Sequence, residues 1–215
     1  MENSSHFQIN DYLKPGRHAH LVGIGGVSMR PLGLVLRSMG MQISGSDMNA
    51  SVSTDELMAK GIAVSIGHRA ENIEGADCVI RTAAANNDNP EIAAARAAGI
   101  PIFERAQAWG YIMKAYRHAI CVSGTHGKTT TTSMLTQIFM EAGKDPTVMI
   151  GGSLPLLGAG HRVGQGDTII LESCEYCNSF LNFFPTTAVV LDIDADHLDF
   201  FKDLEDVKHS FRRFA

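Results

Sequence analysis

A chain of 215 residues has room for one or two ordinary domains, and with 45% of its residues apolar it can bury a packed core in each. The formal charge of -5 argues against a general nucleic-acid binder, and no apolar run is long enough to span a bilayer. Four cysteines are too few for a disulfide scaffold, and with aromatics at 7% and glycine and alanine plentiful, layered α/β packing is favoured over an all-β sandwich.

The opening MENSSHFQIN is polar, with no apolar core of a signal peptide, so the chain is expected to be soluble and cytoplasmic. Residues 1–17 read as a tail. From residue 18 short apolar runs alternate with helical patterns. HAHLVGI (18–24) reads as a buried strand. SMRPLGLVLRSMG (28–40) follows with Met29, Leu32, Val35, Leu36 and Met39 at helical spacing, Pro31 in the first turn and Gly40 as the stop. MQISGSD, IAVSIGH, ADCVIRT and IPIFE are further strands; STDELMAKG and NPEIAAARAAG are the helices among them. This alternation predicts a parallel sheet with helices on both faces over 18–108. An amphipathic stretch (105–118), placed as a connecting helix at 109–118, leads to a second unit from 119 to 215. That unit restarts the theme with strand AICVSG, helix KTTTTSMLTQIFMEAG, strands PTVMIGG, DTIILES and TAVVLDID, and a helix from about Asp203. The series is barely continued at the end, as expected of part of a longer protein. The predicted fold class is α/β: a Rossmann-like parallel-sheet N-terminal domain followed by an incomplete P-loop α/β ATP-binding domain.

Residues 119–130, AICVSGTHGKTT, hold every part of a phosphate-binding loop. A buried strand anchors it, Gly124 and Gly127 let backbone N–H groups face the phosphates, and a helix N-terminus opens at once. Lys128 is the cation for the outer phosphates and Thr129 the hydroxyl for Mg²⁺. The spacing departs from G-x-x-x-x-G-K-[ST], since valine stands at 122 where the first glycine belongs. The acidic complement lies at the ends of later strands: Glu172, then Asp192, Asp194, Asp196, His197 and Asp199. Polar clusters at the ends of buried strands are where open α/β sheets place their sites, and a carboxylate with an imidazole there can hold Mg²⁺ beside a nucleotide.

GIGGVS (23–28) is a second glycine signature between a strand and a helix. Gly23 and Gly25 fit the dinucleotide fingerprint, Ser28 occupies the third glycine position, and Asp47 ends the next strand. The loop suits NAD, any diphosphate with Asp47 on a ribose hydroxyl or base, or a tight turn alone. Cys78 and Cys121 read as buried thiols; Cys174 and Cys177 form a C-x-x-C that is a redox pair or two incidental thiols in a substrate loop.

HLVGIGGVSM, ISGSDMN, GTHGKTTTT, ESCEYCNSF and DIDADHLDFF, in that order and spacing, resemble the Mur ligases over nearly the whole chain from residue 18. The resemblance implies ATP-dependent amide formation through an acyl phosphate in peptidoglycan precursor synthesis. Its strongest form is to members that join L-alanine to UDP-N-acetylmuramate. Carried over by motif, Gly124, Thr125, His126, Gly127, Lys128, Thr129 and Thr130 hold ATP. Lys128 stabilises the moving phosphoryl charge, Thr129 and Glu172 bind one Mg²⁺, and His197 binds a second. Gly25, Gly26, Val27, Ser28 and Asp47 face the UDP-sugar, with His68, Thr82 and Ala83 as further candidates. Many Mur ligases read E-A-D-E-S-D-A-S-F where this chain has ESCEYCNSF; Glu172 and Glu175 match, and Cys174 stands in place of an aspartate. Family members are roughly twice this length, so this portion is expected to be inactive alone. The alternatives are a Mur ligase adding a preformed peptide, a non-catalytic nucleotide-sugar-binding fragment, and an NAD-dependent dehydrogenase, which leaves GTHGKTT unexplained.

Overall fold

The computed structural model describes residues 7–215, and the chain divides into two compact units, Met1–Ala108 and Trp109–Ala215. In the first, β1 (His18–Val22), α1 (Met29–Ser38), β2 (Gln42–Asp47), α2 (Val52–Ala59), β3 (Ala63–Ile66), β4 (Cys78–Arg81), α3 (Pro90–Ala97) and β5 (Ile102–Glu104) follow in sequence. The five strands form a parallel sheet in the order β3-β2-β1-β4-β5. Successive residues of a strand point to opposite faces. Leu21 of β1 meets α1, where Gly33 lets the helix come within van der Waals range, and Val22 meets Ile92 and Ala95 of α3. Both faces of the sheet are therefore covered, as the near-continuous apolar character of β1 and β4 requires. The expected tail is partly structured: a 3-10 turn at Ile9–Asp11 leads to Leu13, which is fully buried, and Tyr12 lies against Phe103.

The helix α4 (Arg105–Met113) starts and ends before the connecting helix expected at 109–118; the second unit begins within it at Trp109, and His118 already belongs to the next strand. It contains β6 (His118–Ser123), α5 (Lys128–Glu141), β7 (Thr147–Leu154), β8 (Ala159–Arg162), β9 (Thr168–Glu172), β10 (Thr187–Val190) and α6 (Leu204–Phe214). The sheet order is β10-β6-β9-β7-β8, parallel except for the β7–β8 pair. β8 is absent from the sequence reading because AGHR has no apolar or β-branched run; its pairing with β7 and the Arg162–Asp145 ion pair hold it as an edge. Ile120, Val148, Ile150 and Ile170 pack with Leu135 and Phe139 of α5. A second cluster joins Phe180, Phe201, Val207 and Phe211, with Phe180 stacked on Phe214, and so fixes the 3-10 turn Tyr176–Asn182 against α6. No helix among the described residues is long and apolar enough to cross a membrane.

Candidate functional site

In each sheet the strand order reverses beside a central strand, and the loops that follow the strand ends there open the crevice where α/β folds bind ligands. In the first unit these loops follow β1 and β4. Gly23, at φ +81°, turns the chain out of β1 with its N–H and that of Ile24 donating to the Ser46 carbonyl at 2.8 and 2.9 Å. A Cβ on Gly23 would stand 2.8 Å from Thr82 Cγ2, so the loops after β1 and β4 touch only because residue 23 has no side chain. Asp47, the expected partner of a ribose or base, also has a partner within the loop. Its Oδ2 accepts the Gly25 N–H at 2.9 Å, which makes it the brace of the glycine loop. Gly26 donates to the Gly23 carbonyl, and α1 starts at Met29 with Ser28 as its N-cap residue. Val27 and Ala83 are exposed on the two loops.

His68 lies in a polar network behind this loop. Its Nδ1 is 3.0 Å from Ser46 Oγ and 3.3 Å from Glu91 Oε2. Glu91 is fully buried and accepts from Ser46 Oγ at 2.6 Å and Asn72 Nδ2 at 2.5 Å, with His20 Nε2 at 3.6 Å. Burial pushes the Glu91 carboxyl upward, but the His20 imidazole, the Ser46 and Asn72 donors and the charge of His20 outweigh it and hold Glu91 at about 2. Glu91 thus ties the end of β2, the turn after β3 and the first turn of α3 behind the loop, a role with no sequence signal beyond an acid in a helix first turn.

In the second unit three strand ends converge on β6. Ser173 N–H donates to the Val122 carbonyl and Leu191 N–H to the Ser123 carbonyl, which brings the segments after β9 and β10 to either side of the loop after β6. Asp192 braces that loop: its carbonyl accepts from Thr125 N–H at 3.2 Å and its Oδ1 from His126 N–H at 2.9 Å. Thr125 Oγ1 accepts from Asp194 N–H at 2.8 Å. Gly124 has φ +137°, and a Cβ there would meet Asp192 Oδ1 and Leu191 Cβ at 3.0 Å, so both conformation and space demand glycine. Gly127 is the N-cap residue of α5, and no side chain caps the helix. The first-turn N–H groups and the positive end of the helix dipole therefore face the loop, with Thr129 and Thr130 exposed beside it.

Lys128 Nζ donates to the carbonyls of Gly124 and Thr125 and pairs with Glu175 Oε2 at 3.3 Å. Glu175 is 1% exposed and its Oε1 lies 3.9 Å from His197 Nε2. It links the loop lysine to the histidine, a hub that the sequence quotes within ESCEYC without revealing. His197 sits at φ +52° and packs on the Tyr176 ring, whose hydroxyl donates to Asp199 Oδ2 at 2.7 Å. That bond, then the charge of Asp199, pushes the phenol up to about 12. Glu172 ends β9. Its Oε1 accepts from Thr129 Oγ1 at 2.9 Å and its Oε2 from Gly151 N–H at 2.7 Å, and only a glycine at 151 leaves room for it. Thr129 and Glu172 are hard oxygen donors that suit Mg²⁺. His197 groups instead with Glu175 and Cys174, their donor atoms all within 4.8 Å. Burial pushes the thiols of Cys78 and Cys121 up to about 12, which makes them inert; Cys177 is exposed.

Residues 18–117 match the Mur ligase family, catalytic domain, and residues 122–215 the Mur ligase middle domain. A UDP-N-acetylmuramate–L-alanine ligase of Clostridium botulinum (strain Hall) is 48% identical over 205 residues, 95% of this chain and 45% of that protein. The protein of the same description from Agathobacter rectalis is 52% identical over 206 residues, again 95% of this chain and 45% of its own length. The crystal structure of UDP-N-acetylmuramate-alanine ligase from Thermotoga maritima superposes with a TM-score of 0.84 at 31% identity, covering 92% of this chain and 46% of that one. The chain thus spans about half the length of the relatives it matches. Both units, their loops and their order along the chain match consecutive domains of one family, and the chain belongs to the Mur ligases.

Proposed function

We propose that this chain is the nucleotide-sugar-binding unit and part of the ATP-binding unit of an enzyme that joins L-alanine to UDP-N-acetylmuramate at the expense of ATP, in the cytoplasm. The observation that carries the reading is the second glycine loop. An uncapped helix N-terminus, Lys128 and a threonine–glutamate oxygen pair meet at the loop after β6, the groups that a nucleotide triphosphate requires. The matched relatives' names supply the substrates.

In this reading the backbone from Gly124 to Thr130 cradles the ATP phosphates, and Lys128 exchanges its loop carbonyls for phosphate oxygens. Thr129 and Glu172 would hold Mg²⁺, which would supply charge neutralisation at the phosphoryl group. Glu175 keeps the Lys128 ammonium aimed at the loop and, with His197, offers a second cation position. Gly25 to Ser28 at the start of α1, with Thr82 and Ala83 opposite, receive the UDP portion, and Asp47 holds the loop in the conformation that exposes them. Amide formation needs the carboxylate, ATP and the amine within near-attack distance, so this portion alone binds ligands without ligating them.

Calorimetry on the chain tests the reading. UDP-N-acetylmuramate binds without ATP, and Asp47→Ala, which removes the brace on Gly25, weakens it. Binding of NADH with no binding of UDP-N-acetylmuramate overturns the assignment.

A further inference from the structure

Cys174, Glu175 and His197 come together for a reason set by the backbone. β9 ends at Glu172, and by Glu175 the chain has turned to φ -73°, ψ -22°. Neighbouring side chains then no longer alternate between faces as they do in a strand, so a thiol and a carboxylate adjacent in sequence can serve one point in space. The imidazole arrives from a separate segment, on a residue held in the left-handed region at φ +52°. A strained backbone of this kind persists only where its surroundings enforce it; here His197 N–H donates to Asp196 Oδ1 at 2.7 Å and its ring lies on Tyr176.

We propose that these three side chains form a site for a thiophilic divalent cation, with zinc as the type, and that a cation bound there competes with Lys128 for Glu175. One sulfur, one nitrogen and one carboxylate oxygen are the donors of three-ligand zinc sites that leave a position open. Their atoms already lie within 4.8 Å of one another, and His197 Nε2 is 3.9 Å from Glu175 Oε1. Tetrahedral zinc with ordinary bond lengths needs ligand separations of roughly 3.3–3.6 Å, so side-chain rotations that close the widest separation by up to about 1 Å complete it. Magnesium has little use for a sulfur ligand, whereas zinc, cadmium and cobalt do. Binding releases the thiol proton to solvent and leaves a thiolate on the metal. Glu175 cannot serve both cations fully, because Lys128 Nζ stands 3.3 Å from its Oε2 and 3.5 Å from the Oε1 that faces His197. A thiophilic metal therefore loosens the lysine that the phosphate loop depends on. The inference stands whether or not the chain belongs to an alanine-adding enzyme.

Cobalt(II) titration of the 215-residue chain tests it. The expected result is a sulfur-to-cobalt charge-transfer band at one equivalent that zinc displaces and magnesium does not. Cys174→Ser abolishes the band and weakens zinc binding, measured against a chromogenic chelator, by on the order of tenfold or more, since even outer-shell partners of a metal are worth that much. Cys177→Ser retains the band. Lys128→Met, which removes the competing cation without touching a ligand, tightens zinc binding. Loss of the band in Cys177→Ser with retention in Cys174→Ser overturns the proposal, as does the absence of any band in the unsubstituted chain. Weaker zinc binding in Lys128→Met overturns the competition.

Discussion

Replacing Glu91 by glutamine tests whether a buried carboxylate organises the first unit. Glu91 is fully buried and held at about 2, against an ordinary value of 4.5. That difference corresponds to about 3 kcal/mol of stability. A depressed carboxyl stabilises the fold above its unfolded value and loses that contribution as pH falls towards the folded one. The window is therefore pH 4.5 down to about 2, and by pH 3 about 2 kcal/mol is gone. Glutamine keeps the shape but sets an amide N–H₂ against either the Asn72 donor or the Ser46 and His68 donors. The cost of that mismatch is about 1–3 kcal/mol, and it does not titrate. The assay is urea unfolding at pH 6 and pH 3, read by hydrogen–deuterium exchange on peptides of β1, β2 and α3 so that the first unit is followed separately. The variant is expected to be less stable at pH 6, with the gap to the parent narrowing by about 2 kcal/mol at pH 3. A gap that does not change with pH means that Glu91 titrates ordinarily, and the network does not do what its geometry implies.

Gly124→Ala forces a side chain into a left-handed residue 3.0 Å from Asp192 Oδ1; the second unit loses about 1–3 kcal/mol, read from the fluorescence of buried Trp109, and an unchanged midpoint contradicts the loop geometry. Lys128→Ala, in a protein carrying this chain at the length of its relatives, lowers ATP turnover on the order of 10²-fold or more while UDP-N-acetylmuramate binding by calorimetry is unchanged; near-normal turnover removes the lysine from the reaction. Incubated with ATP, Mg²⁺, UDP-N-acetylmuramate and L-alanine, the 215-residue chain alone yields no alanyl product by mass spectrometry, and product at about 1 s⁻¹ or more shows that the remaining length of the relatives is dispensable.

What the sequence shows well is what contiguous residues decide. β1, α1 and β2 are legible because apolar spacing switches between strand and helix periods within a few residues, with Gly40 closing the helix. The phosphate loop is legible because strand, glycines, lysine and helix start are neighbours in the chain. The parts that escape depend on where distant segments fold. Glu175 becomes the partner of Lys128 only because Phe180, packed on Phe211 and Phe214, holds the turn after β9 in place, with Ser210 donating to Asn178. Asp47 sits at the fingerprint distance from the glycine loop, yet spacing cannot show that its oxygen is taken by Gly25 N–H. β8 is a strand by pairing alone, so no local pattern marks it.

The most direct test of the central claim is product formation by a protein that carries this chain at the length of its relatives. Supplied with UDP-N-acetylmuramate, ATP, Mg²⁺ and either L-alanine or a preformed peptide, it should give UDP-N-acetylmuramoyl-L-alanine by mass spectrometry, in an ATP-dependent manner and with the single amino acid only. Product with the peptide and none with L-alanine, or no product with either, contradicts the proposed function.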